Sequence, residues 1–123
     1  MVAQARIVSH TIKDVTVVNF EDARILDTAQ IQKIGDELTN LIEKMARRKV
    51  ILDFTKVQFL SSSALSVLLV ARQKAVAIGG TVALCGLRKD LMKVFEIMRL
   101  DRLFSFFPDE SAALKSYGVV IEA

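Results

Sequence analysis

A single cysteine, Cys85, leaves no partner for an intramolecular disulfide and no cysteine-based metal cluster. The chain of 123 residues has no tryptophan, one proline, one histidine and five glycines. These are too few and too scattered for a glycine-rich phosphate loop or a metal-ligand spacing, so no cofactor and no metal are expected. No run approaches the ~20 uncharged residues that a membrane-spanning helix needs. The most apolar segment, residues 64–71, is followed at once by Arg72 and Lys74. The N-terminus shows no basic segment leading into an apolar core, so no signal peptide is expected. The chain reads as cytoplasmic, with no direct membrane contact. Net charge is only +3, and the one cluster of cations is Arg47-Arg48-Lys49, expected in the last turn of a helix, where it offsets the dipole. A nucleic-acid surface would need cations interleaved with stacking aromatics, and none is visible.

What is present is aliphatic. Hydrophobic residues make up 52% of the chain, enough for a sheet covered by helices. The length predicts one domain, residues 1–123, able to bury roughly two thirds of its unfolded surface. Residues 5–9 and 15–20 are β-rich around Lys13-Asp14, a hairpin signature that places His10 in a solvated turn. Ile25-Leu26 reads as a further short strand. Asp27 or Thr28 caps a helix expected to run to about Arg48, with Ile31, Ile34, Leu38, Leu41, Ile42 and Met45 forming one apolar stripe. Residues 50–54 are a continuous apolar run, as in a central strand covered on both faces. A helix over residues 62–78 ends at Gly79-Gly80, and Thr81–Cys85 is the next strand, with Cys85 a small buried hydrophobe. Residues 89–98 form a third helix burying Leu91, Val94, Phe95 and Met98. Residues 103–107 suit an edge strand, and a last short helix begins after Pro108 at Asp109-Glu110-Ser111. Strand, helix, strand over residues 50–85 is a βαβ unit, which implies parallel strands.

The stretch most informative about function is LDFTKVQFLSSSALSVLLV, residues 52–70. Asp53 ends the strand, and its side chain is expected to bond backbone N–H groups of residues 55–57. Ser61, Ser62 and Ser63 then stand at the helix N-terminus, beyond the carboxyl end of a buried strand. In open α/β sheets, sites concentrate there. One serine is needed as an N-cap. The others are exposed hydroxyls flanked by Phe59, Leu60 and Leu65.

This stretch resembles the signature of STAS domains, the sulfate-transporter and anti-sigma-factor-antagonist family. Its pattern is an apolar strand ending in Asp, a nearby Phe or Ile, and Asp-Ser-Ser/Thr-Gly-Leu opening a helix. Gly79-Gly80 before a strand, Val94-Phe95 in a Lys/Arg-rich helix, and LDRLFSFFPDESAAL at 100–114 extend the likeness over about residues 4–118. The resemblance implies an α/β STAS-like fold: a mixed four- to five-stranded sheet, an antiparallel N-terminal hairpin, a parallel remainder and four helices. It also implies a non-enzymatic antagonist that binds an anti-sigma factor, a GHKL-type serine kinase. That kinase would phosphorylate Ser62, with Ser61 and Ser63 as rival acceptors, and a PP2C-type phosphatase would reverse the step. Asp53, Phe59, Leu60, Ser61, Ser63, Ala64 and Leu65 are the expected partner surface. Two positions depart from the pattern: Ser61 replaces its Asp and Ala64 its Gly.

Three other readings fit parts of this sequence. A response-regulator receiver would use Glu21, Asp22 and Asp53 as an acidic pocket, but only one helix fits between residues 22 and 50. A serine hydrolase lacks both a nearby base and the glycines of a nucleophile elbow. A STAS subunit of a lipid-transport ABC complex or a signalling scaffold, without phosphorylation, keeps the fold and changes the role.

Overall fold

The structure, a computed structural model, describes residues 6–120. β1 (Ile7–Ile12) and β2 (Val15–Phe20) form the expected antiparallel hairpin. Its two-residue turn holds Lys13 at φ 57°. Because that turn is so tight, β1 runs three residues beyond its expected end, and the start of the expected strand, Ala5, lies outside the described residues. His10 is therefore not in the turn: it is an exposed β1 residue facing Val17.

β4 (Lys49–Asp53) lies parallel between β2 and β6 (Thr81–Cys85), and β7 (Ser105–Phe107) closes the sheet in the order β1-β2-β4-β6-β7. Three helices bridge the parallel strands: α1 (Thr28–Thr39), α2 (Ser62–Ala77) and α3 (Lys89–Ile97). They pack together on one face, against Val18, Phe20, Val50, Leu52, Val82 and Leu84. The opposite face carries Val15, Val17, Ile51, Ala83 and Cys85, which α4 (Glu110–Ser116) covers with Ala113 and Leu114. Alternation along each strand thus feeds two cores from one sheet. This is the mixed five-stranded sheet with four helices that the sequence predicts.

Several boundaries differ. α1 opens as expected, with Asp27 accepting from the Gln30 N–H and the Gln30 side chain reaching back. It does not reach Arg48. It widens into a π-helical turn, Asn40–Lys44, and stops where Ala46 takes φ 51° and the Arg47 N–H bonds the Leu41 carbonyl at 3.0 Å. Met45 consequently falls off the buried stripe, and Arg47-Arg48-Lys49 forms the link into β4 instead of a last helical turn. In α3 only Leu91 and Phe95 are buried, while Val94 and Met98 are exposed, because the chain turns at Arg99 (φ 59°) and fills the core with Leu100 instead. α2 ends where expected, at Gly79 with φ 77°, a conformation that glycine adopts without a Cβ penalty. Two short strands, β3 (Arg24–Ile25) and β5 (Phe59–Leu60), pair separately from the main sheet. β5 lies in what reads from sequence as a plain connection.

Leu68 of α2 is 3% exposed and sits in the larger core. Leu68→Ala should therefore cost about 2–5 kcal/mol, the usual range for a cavity left by a buried leucine. Urea unfolding followed by circular dichroism would read this as a lowered midpoint at unchanged slope.

Candidate functional site

The site is the N-terminus of α2, and the local backbone explains its position. β5 pairs with β3 in register, Phe59 with Arg24 and Leu60 with Ile25. The pairing continues as the Ser61 N–H donates to the Ile25 carbonyl at 3.1 Å. The chain is thus clamped up to the residue before the helix. Ser61 is the N-cap, extended at φ −83° and ψ 165°, and its Oγ accepts from the Ala64 N–H at 3.1 Å. That satisfies one of the donors a helix leaves unpaired. An aspartate would cap in the same way, so the serine at this position keeps the helix start without the charge.

Ser62 and Ser63 follow at the first two helical positions, and both are exposed. Among the described residues no hydrogen bond engages either hydroxyl; the Ser62 carbonyl accepts from the Ser66 Oγ at 3.3 Å. The first turn carries no acidic side chain. The free N–H groups and the positive end of the helix dipole are therefore not neutralised by a carboxylate of the same turn. Phe59 is 48% exposed beside them, and the Arg24 guanidinium lies 5.3 Å from its ring centroid. Leu60 is half-buried.

Three expected surface residues are not on the surface. Ala64 and Leu65 are buried in the larger core, because they occupy the inner face of the first turn of α2. Both are part of the helix's anchor and cannot meet a partner. Ala64 is also plainly helical, so the position needs no glycine. Asp53 is 6% exposed. Of the N–H groups expected over residues 55–57 it accepts only that of Thr55, at 2.8 Å, together with the Thr55 Oγ1 at 2.5 Å; the Val57 N–H goes to the Phe54 carbonyl instead.

Asp53 also belongs to a network that sequence reading missed. The Asn19 side-chain amide donates to Asp53 Oδ2 at 3.2 Å and to Glu110 Oε2 at 2.6 Å, tying β2, β4 and the start of α4 together. Glu110 shares a hydrogen bond with Asp53, and this, with burial, raises its carboxyl above the usual glutamate range. Burial alone would raise Asp53 as well, but the bonds from Glu110 and Thr55 outweigh it and hold Asp53 low. The two carboxyls are thus driven apart, Asp53 downward and Glu110 upward. Burial, together with the charges of Asp53, Glu110 and Asp109, pushes the Cys85 thiol up to about 12. Residues 91 positions apart carry no spacing signal that could have revealed this pairing. Gly86 (φ 73°) closes the same corner, where a Cβ would collide with Thr55 Oγ1 and crowd Asp53 Oδ1. The acids that suggested a receiver pocket do not converge on Asp53: Glu21 pairs with Lys56 at 3.0 Å, and Asp22 is held by Arg6 and Gln30.

Sequence and fold comparisons bear directly on this arrangement. The STAS domain family model matches residues 6–113. The chain belongs to the STAS domain family. The protein from Bordetella bronchiseptica named "Putative anti-sigma factor antagonist BtrV" is 26% identical over 97 residues, 79% of this chain and 83% of that protein. An anti-sigma factor antagonist from Mycobacterium paratuberculosis has the same fold (TM-score 0.81, 16% identity, 94% of this chain and 96% of that one). So does the Bacillus cell fate determinant SpoIIAA in its phosphorylated form (TM-score 0.71, 18% identity, 90% and 99%). As a STAS domain the chain is thus similar to anti-sigma factor antagonists. No helix among the described residues is long and apolar enough to cross a membrane.

The geometry makes two stability predictions. Ser61→Ala removes the cap and should cost about 1 kcal/mol, whereas Ser62→Ala should stay within about 0.5 kcal/mol of the wild type. Thermal melts of the two variants would separate the capping serine from the free one. The raised Glu110 carboxyl implies that its contribution is complete below the ordinary glutamate range, near pH 4.5, and is lost as pH rises through the raised value. Glu110→Gln should therefore match the wild type in acid and become the more stable protein toward pH 8. Denaturation midpoints collected across that range would show the gap opening with pH.

Proposed function

We propose that this STAS domain acts as an anti-sigma factor antagonist: it binds a GHKL-type anti-sigma serine kinase and is released by phosphorylation of Ser62. The observation that carries the reading is the Ser62 hydroxyl, exposed and, among the described residues, without a hydrogen bond, at the start of a capped helix that follows the exposed Phe59 and half-buried Leu60. Ser61 is a poorer acceptor because its oxygen already holds the Ala64 N–H. Ser63 shares the exposure of Ser62, and the choice between them follows the family motif. In the transfer, the γ-phosphoryl group of Mg-ATP passes to Ser62 Oγ, whose proton is lost, and ADP leaves. A PP2C-type phosphatase would return the hydroxyl by hydrolysis, releasing inorganic phosphate.

The physics of the switch is a difference between two environments. Within the chain, about −1.5 to −2 added charges sit where the helix dipole and unpaired N–H groups favour an anion. Against a partner, the same phosphate must be desolvated, and each ~1.4 kcal/mol of that penalty weakens binding tenfold. The fold therefore tolerates the group while the interface does not. The partner surface that supports this reading consists of Ser61, Ser62, Ser63, Phe59 and Leu60, joined by the exposed Arg24. A soluble kinase as partner fits a cytoplasmic protein.

Incubation with the cognate kinase and Mg-ATP should place one phosphate on Ser62, read by peptide mass spectrometry; a stoichiometric phosphate outside residues 61–63 contradicts the proposal. Ser62→Asp should fold normally and lose the kinase, while Ser62→Ala should bind it and resist release. Equal affinity of both variants, measured by calorimetry, would leave no switch.

A further inference from the structure

An open groove of about 320 Å³ runs between α1 and α2, beside the serine site. Gly35 lines it from α1, Val67 and Ala71 from α2, and Gln32 and Asp36 stand on its polar side. Gly35 lies inside a helix, where glycine is the least favourable residue after proline. Nothing in the fold demands it there. Its φ is not in the left-handed region, and a Cβ would meet only the two Val67 methyls, at 3.5 and 3.9 Å, ordinary contacts. What the missing side chain does is keep the groove open.

We propose that this groove receives an aliphatic side chain of the same kinase that engages Ser62, with a cation of that kinase on Asp36; the inference rests on the switch reading above. Three observations select this occupant. Ser62, Ser66 and Val70 are spaced by four and exposed, so they form one continuous strip of α2 leading from the hydroxyl into the groove. A standard interface covers about 800 Å² on each partner, a disc of roughly 16 Å radius. Val70 is about 12 Å along the helix from Ser62 at 1.5 Å per residue, within the reach of an interface centred on Ser62. The groove is already apolar and open, with Val70 46% exposed on its edge. Its charge also points to a partner: Asp36 is exposed and forms no ion pair among the described residues, whereas Lys74, the nearby cation, is occupied with Thr39 at 2.9 Å and Glu43 at 3.2 Å.

The test uses the full chain and the GHKL-type kinase that phosphorylates it, with affinity measured by calorimetry and phosphate located by mass spectrometry. Gly35→Met should fill the groove and weaken kinase binding tenfold or more, while any phosphate still maps to Ser62. Gly35→Ala should melt no lower than the wild type and weaken binding by a smaller factor. Asp36→Lys should weaken it several-fold, and more so at low salt. If Gly35→Met fails to fold, the alanine and Asp36→Lys variants decide alone. Wild-type affinity in these variants overturns the groove proposal and leaves the Ser62 switch standing. A change in self-association on sedimentation, with kinase affinity unaltered, assigns the groove to a second copy and also overturns it. If no such kinase binds or phosphorylates the wild-type chain, the switch reading falls and the groove proposal with it.

Discussion

The pairing of β4 on both edges, parallel to β2 and to β6, is the constraint on which everything else depends. The centre of a strand buried on both faces and both edges must be apolar, and Val50, Ile51 and Leu52 satisfy this at 1% exposure or less. A parallel neighbour cannot be reached by a tight turn, so the chain leaving β4 has to cross the sheet as a helix before β6 begins. That crossing puts the start of α2 at the carboxyl end of the sheet. It also puts Asp53, the last residue of β4, directly beneath the turn that leads there, where it bonds Thr55. The serines are therefore where they are because of a strand whose centre, residues 50–52, is buried on both faces.

The same crossing divides the residues of the serine segment by task. One side of the first helical turn must anchor α2, and Ala64 and Leu65 do so from inside the core. Ser61 spends its oxygen on the cap. Only Ser62 and Ser63 remain with nothing structural to do. A phosphate placed there meets free N–H groups instead of packed side chains, so the charge state can change without a conformational cost inside the domain. The short β3–β5 pair contributes rigidity: it fixes the chain just before the cap and holds Phe59 outward under the Arg24 guanidinium.

On the opposite face a different device holds α4. The helix is only seven residues long and covers the smaller core. Its start is tied down by the Asn19 amide, which bridges Glu110 to Asp53. Two carboxyls at one amide repel each other unless they share a proton, so this corner is sensitive to pH while the serine site is not built on titratable groups.

Much of this was legible in advance. A period-3.6 stripe placed α1, continuous apolar runs placed β4 and β6, and Gly79-Gly80 ended α2, because these signals are local. The motif of residues 52–70 was enough to name the family. The sequence by itself therefore determined the order of the elements, the fold class and the neighbourhood of the site, since all three follow from burial patterns carried within single segments. Tertiary structure alone decided which of the three serines caps, that Ala64, Leu65 and Asp53 face inward, that β5 exists at all, and that Gly35 leaves a groove open against α2. Each of these depends on contacts between segments far apart in the chain: a partner strand for β5, a sheet surface beneath α2, a second helix across from Gly35. Local propensity carries no record of such neighbours, and only the folded packing supplies them.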